Sequence, residues 1–188
     1  MKNSLLLVLI IIPILLTAQA KIKGERITWS KERMLTSEDF KAKAQKGHKA
    51  AAQADVSIES EIINQTENGV KLKIIALFNT AYSWMKPEGK ENEHLLKHEQ
   101  GHFDIFEIFT RRCRKELKEA KLNNKNVAKK LPEIIQKYIQ QAYKYQDKYD
   151  EQTQHSLKVE KQEEWNKKIA AELEELEAYS NPVIEITY

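Results

Sequence analysis

The chain has 188 residues, with 31 Lys and Arg against 28 Asp and Glu, five His and a single Cys. That length suits one compact domain without a second core, and 41% hydrophobic residues is too many for a disordered chain. A net charge of +3 argues against nucleic-acid binding, and Cys113 alone can form neither an intramolecular disulfide nor a cysteine-rich zinc site.

The chain begins with Lys2, an apolar run from Leu5 to Leu16 broken by Pro13, and the small-residue site Ala18-Gln19-Ala20 before a polar stretch. That is the order of a secretory signal peptide, and the run is too short to span a membrane comfortably. No cysteine follows it, which excludes a lipoprotein anchor. Residues 1–20 are therefore predicted to be cleaved. Residues 21–188 remain as one exported domain, periplasmic or secreted, with no stable membrane anchor.

From Lys21 to about Met85 the pattern is β-like. One short helical segment follows Leu35-Thr36, where Thr36 and Asp39 can cap. Ala54–Ile63 alternates loosely, residues 64–69 (NQTENG) have turn composition, and Val70, Leu72 and Ile74 alternate with Lys71 and Lys73, which predicts a hairpin with one buried face. From Glu91 the period changes. Leu95, His98, His102, Phe106, Phe109, Cys113 and Leu117 mark one face of a long helix, ended at residues 123–126 (NNKN). A second helix carries Leu131, Ile134, Ile135, Tyr138, Ile139 and Ala142, with Pro132 near its start or kinking it. A third is predicted from about Ser156, its candidate N-cap, to Tyr179, with Leu157, Trp165, Ile169, Leu173 and Leu176 on one face. Asn181-Pro182 stops it, and Val183–Tyr188 alternates like a last strand.

The chemical signal is His98-Glu99-Gln100-Gly101-His102. Residues four apart on a helix share a side, about 6 Å apart along the axis, so two imidazoles can reach one ion. A catalytic zinc takes three protein ligands and keeps an open position for water, whose pKa it lowers towards neutrality. Glu99 is the expected acceptor of that water's proton. With five His and 23 Glu, such a pattern arises by chance in about one or two of a hundred such chains, so its setting matters. Both histidines lie on the apolar stripe. Gly101 between them costs about 1 kcal/mol relative to Ala in a helix, which predicts a close approach by a strand or a substrate.

A third ligand must come from elsewhere. His94 lies eight residues before His102, about 12 Å along the axis, and reads as a bystander. His48, in Gly47-His48-Lys49, reads as a solvated loop residue. By elimination His155 is the best remaining histidine, and Asp150 or Glu151 can replace or assist it, because a carboxylate completes many two-histidine zinc sites. The longer zinc-protease signature needs Gly and His where Ile105 and Ile108 stand, and is excluded. Glu116 and Glu119 belong to the same helix as the pair and are too far along it to close the site.

Residues 95–105 (LLKHEQGHFDI), with Ile27-Thr28-Trp29, Leu35-Thr36, Asp39-Phe40 and Ser83-Trp84 before them, resemble a bacterial domain-of-unknown-function family of predicted secreted zinc-dependent proteases, placed among the zincin-like metallopeptidases. Tyr149-Asp150, Thr153 and His155, then Gln162 and Trp165, match that family's downstream pattern. Ser156 stands where the family usually has Gly. The resemblance covers most of residues 21–188. It implies a protease fold, whereas activity resides in the site itself.

These readings predict an α+β, zincin-like domain: a small antiparallel sheet against a long metal-bearing helix, and two further C-terminal helices. The expected function is a zinc metallopeptidase acting on a peptide or protein substrate. One zinc ion is held by His98, His102 and His155, and Glu99 activates water. Asp104 is a candidate for orienting a ligand and Tyr149 for stabilising the oxyanion. The alternatives are an inactive zinc-binding module and a metal-free helical exported chaperone or adaptor.

Overall fold

A computed structural model describes residues 25–44 and 47–188; the signal-peptide reading falls outside them. The strands are β1 (Arg26–Thr28), β2 (Ala52–Gln53), β3 (Val56–Thr66), β4 (Gly69–Asn79), β5 (Trp84–Met85) and β6 (Val183–Thr187). The helices are α1 (Glu93–Glu119), α2 (Val127–Thr153) and α3 (Val159–Glu175). The architecture is α+β, with small antiparallel sheets and three helices, and no helix among the described residues is long and apolar enough to cross a membrane.

β4 is the spine of the main sheet. It pairs with β3 along one edge, and on the other with β1 (Ile27 opposite Phe78) and β6 (Val70 opposite Ile186). Val70, Leu72, Ile74, Ala76 and Phe78 point to one buried face, as strand alternation requires. The hairpin turn is tighter than its composition predicts. β3 runs on through Thr66, leaving Glu67 and Asn68 between the strands, with a register shift between Ile62 and Asn64. The segment after Leu35-Thr36 is a single 3-10 turn, where Asp39 accepts from the Thr36 amide at 2.7 Å.

α1 is capped by Asn92, whose side chain accepts from the Leu95 amide at 3.0 Å. The sequence suggests a single apolar stripe, but Phe103, Ile105, Phe106 and Ile108 are all fully buried, so the helix is covered all round its middle. It packs against the main sheet and against both α2 and α3. Cys113 is buried on α1, and burial pushes its thiol up to about 12. α2 continues through Pro132 and buries only a narrow face, including Ala142, Tyr149 and Thr153. α3 starts after Lys158, so Ser156 is not its cap.

The notch between β1 and β6 is filled by Arg114. The Ile74 amide donates to Pro182, and the Ile74 carbonyl accepts from Arg114 Nε at 2.9 Å and Nη2 at 2.7 Å. Arg114 Nη1 also donates to Glu107 at 3.0 Å and to the Tyr179 carbonyl at 2.8 Å. A side chain thus supplies the donors that the missing strand residues would have provided.

Candidate metal centre

His98 and His102 project from α1 into a cavity of about 390 Å³ whose opposite wall is the segment from His48 to Val56. β2 and β5 pair antiparallel and hold that wall, with Ala52 opposite Met85. His48 is the exposed loop residue expected from the sequence, and it also borders the cavity, edge-on to Trp84 at 5.1 Å.

Asp150, near the end of α2, stands between the two α1 histidines. Its Oδ1 is 3.1 Å from His98 Nε2 and 3.1 Å from His102 Nε2. Neither contact has hydrogen-bond geometry, and Asp150 Oδ1 is buried without a hydrogen-bond partner. His155 sits on the rim with its side chain 71% exposed, its Nδ1 3.6 Å from Asp150 Oδ2. Donor atoms of His98, Asp150 and His155 all lie within 4.8 Å of one another. Glu151 points to solvent and does not line the cavity.

His98 is held from behind. Gln162 Nε2 donates to the Tyr149 hydroxyl at 2.5 Å and to Asn166 Oδ1 at 2.9 Å, leaving its Oε1 to accept from His98 Nδ1 at 2.9 Å. The Tyr149 hydroxyl in turn donates to the His98 carbonyl at 3.1 Å, and its ring stacks on His98 at 4.6 Å. The proton of a neutral His98 is therefore fixed on Nδ1 by the network, and a lone pair on Nε2 faces Asp150. His102 Nδ1 has no hydrogen-bond partner, although the Gln146 amide stands near it.

The buried groups shift one another's ionisation. Desolvation opposes the Asp150 charge, yet the two imidazoles hold its carboxyl well below the usual range. Burial works against a His102 cation, but Asp150 and Glu99 outweigh it and raise the imidazole pKa. Glu99 is 4% exposed and its Oε2 has no hydrogen-bond partner. Burial raises its pKa, against the pull of His102 and His98.

Two roles assigned from sequence need correction. Tyr149 is fully buried and its hydroxyl is engaged by Gln162 and His98, so it cannot meet an oxyanion. Asp104 touches no histidine: it accepts from Trp29 Nε1 and Gln100 Nε2, both at 2.7 Å, while Gln100 Oε1 accepts from the Leu35 amide. It ties the N-terminal segment to α1. Gly101 does mark a close approach, but by Tyr149: a Cβ there would come within 2.8 Å of Tyr149 Cζ and closer still to its hydroxyl. Gly101→Ala should gain about 1 kcal/mol of helix propensity and lose more to overpacking, for a net destabilisation of about 1–3 kcal/mol. A thermal melt checks the sign. A stabilised variant would show that the ring has room to move.

Gln154, His155 and Ser156 are all left-handed, with φ of 49°, 51° and 72°. None is glycine, and such residues cost roughly 1–2 kcal/mol each, so the turn is strained.

A family model described as "Bacterial protein of unknown function (DUF922)" matches residues 39–156. No curated protein and no solved structure matches the chain.

Proposed function

We propose, from the premise that this chain belongs to the bacterial DUF922 family, that it is a zinc-dependent metallopeptidase with a zincin-like arrangement of helix and sheet. One observation carries the reading. With Gln162 Oε1 placed to accept from His98 Nδ1, His98 Nε2 and His102 Nε2 both stand 3.1 Å from a buried Asp150 oxygen that has no hydrogen-bond partner. A cation shared by these three atoms would give the orphaned Asp150 oxygen its partner. The spacing suits zinc, because donors about 2.0 Å from the ion at tetrahedral angles lie about 3.3 Å apart.

His98 and His102 would supply two corners, and the pair Asp150 and His155 the third. Imidazole and carboxylate donors suit zinc, and three corners leave one position open. Bound there, zinc would lower the pKa of water towards neutrality and polarise a peptide carbonyl. Glu99 Oε2, buried and without a partner, accepts the proton of the attacking water and returns it to the leaving amine. Gln162 and Tyr149 keep the His98 ring in one tautomer and one orientation. The cavity, of a size that takes small ligands and short side chains, would receive the peptide or protein substrate. The leader-like composition of residues 1–20 supports a substrate outside the cytoplasm.

Metal analysis of the purified chain tests the reading. One equivalent of zinc is expected after chelation and retitration, and none in His98→Ala or His102→Ala. Asp150→Asn and His155→Ala apportion the third corner: loss in the first alone would remove His155 from the ligand set. A chain without stoichiometric metal would overturn the proposal. One that binds zinc yet cleaves no member of a broad peptide library would be a zinc-binding module.

A further inference from the structure

We infer that His94, one helical turn before His98, is a positioning residue that latches the left-handed turn carrying His155. The inference rests on the zinc reading above and extends it to a residue with no place at the ion. His94 Nε2 lies 2.6 Å from the Ser156 carbonyl oxygen, 62 residues away in the chain. A carbonyl only accepts, so the proton is on Nε2. The other bonds of the turn are local. The His155 amide donates to the Asp150 carbonyl at 3.0 Å, the Leu157 amide to Gln154 at 3.2 Å and the Lys158 amide to Thr153 at 2.9 Å. His94 is the side chain that joins this turn to α1.

The left-handed residues 154–156 would relax towards ordinary backbone if nothing held them. Relaxation would carry His155 away from Asp150, whose second oxygen it now faces at 3.6 Å. With the latch, one helix face sets the whole centre: His98 and His102 stand on it directly, and His94 fixes the segment that completes the third corner. Ser156, where glycine would adopt the positive φ freely, makes the latch necessary in this chain.

The test compares zinc affinity, by competition with a chelating dye, in wild type, His94→Ala, His155→Ala and the double variant, with amide exchange of the metal-free proteins alongside. His94→Ala should lose about tenfold in affinity, the usual scale for a residue that supports a ligand, and the double variant should bind no more weakly than His155→Ala alone. His94→Gln, which keeps a donor, should retain affinity, and Ser156→Gly should restore part of the loss in the His94→Ala background. Without metal, the Leu157 and Lys158 amides should exchange faster in His94→Ala. Zinc affinity within twofold of wild type in His94→Ala, additive losses in the double variant, or unchanged exchange at those amides would overturn the latch and leave the zinc centre standing. A wild-type chain that takes up no zinc would overturn the reading beneath it.

Discussion

Glu99→Gln is expected to keep one equivalent of zinc and to lose peptide hydrolysis by about 10²–10⁴-fold, the range that a positioned general base contributes. The substitution preserves volume in a pocket where the residue is 4% exposed, so the fold has no reason to change. Glu99 is not among the donors that converge on Asp150 Oδ1, so zinc affinity should change little. What is lost is the buried, unpartnered Oε2 that can take a proton. Zinc content and turnover of a fluorogenic peptide library, measured on the same preparation, check both halves. Activity within tenfold of wild type would remove Glu99 from the mechanism. Loss of the metal together with activity would move it into the ligand set.

The largest stability effect is expected at Arg114, far from the cavity. Arg114→Met should destabilise the fold by about 3–5 kcal/mol, the cost of removing one partner from a buried ion pair. Arg114 and Glu107 are each 2% exposed. Burial already pushes the Glu107 carboxyl pKa up, against the pull of Arg114 and Arg111. Without Arg114, Glu107 keeps only its 3.0 Å contact with Arg111 Nε, and the Ile74 and Tyr179 carbonyls lose their guanidinium donor. Adding Glu107→Gln should restore part of the loss, because the second substitution removes the underpaired charge. Urea denaturation of the single and double variants measures both. A single variant within 1 kcal/mol of wild type would mean that water replaces the guanidinium at little cost.

Features set by local chemistry were legible in the sequence. The alternation of Val70, Leu72 and Ile74 marks β4, Asn123–Asn126 separates α1 from α2, and the i, i+4 spacing puts His98 and His102 on one side of a helix. Asp150 could be named as a carboxylate donor because it precedes His155 in a polar junction. What sequence reasoning missed depends on contacts between distant segments. No local signal tells that Gly101 makes room for Tyr149, 48 residues later, or that Gln162 accepts from His98 Nδ1, 64 residues away. Gln162 appeared only within a resemblance, without a role. The turn at 154–156 was hidden for a different reason. It takes positive φ without glycine, so propensity reads Ser156 as a helix cap. Likewise, α1 buries Gln100, Glu107, Arg111 and Arg114, polar residues that periodicity assigns to a solvent face, which is why the α1 stripe understated its burial.

Cys113 has a practical consequence. Burial raises the Cys113 thiol pKa and leaves it no exposed surface, so it is a poor nucleophile while α1 stays packed. A thiol reagent must therefore wait for the helix to open, and its reaction rate becomes a clock for that opening. The same helix carries His98 and His102, so zinc at about 100 times its Kd should slow the clock by about 100-fold through mass action alone. The lone cysteine thus serves as a native reporter of whether the metal grips the folded chain.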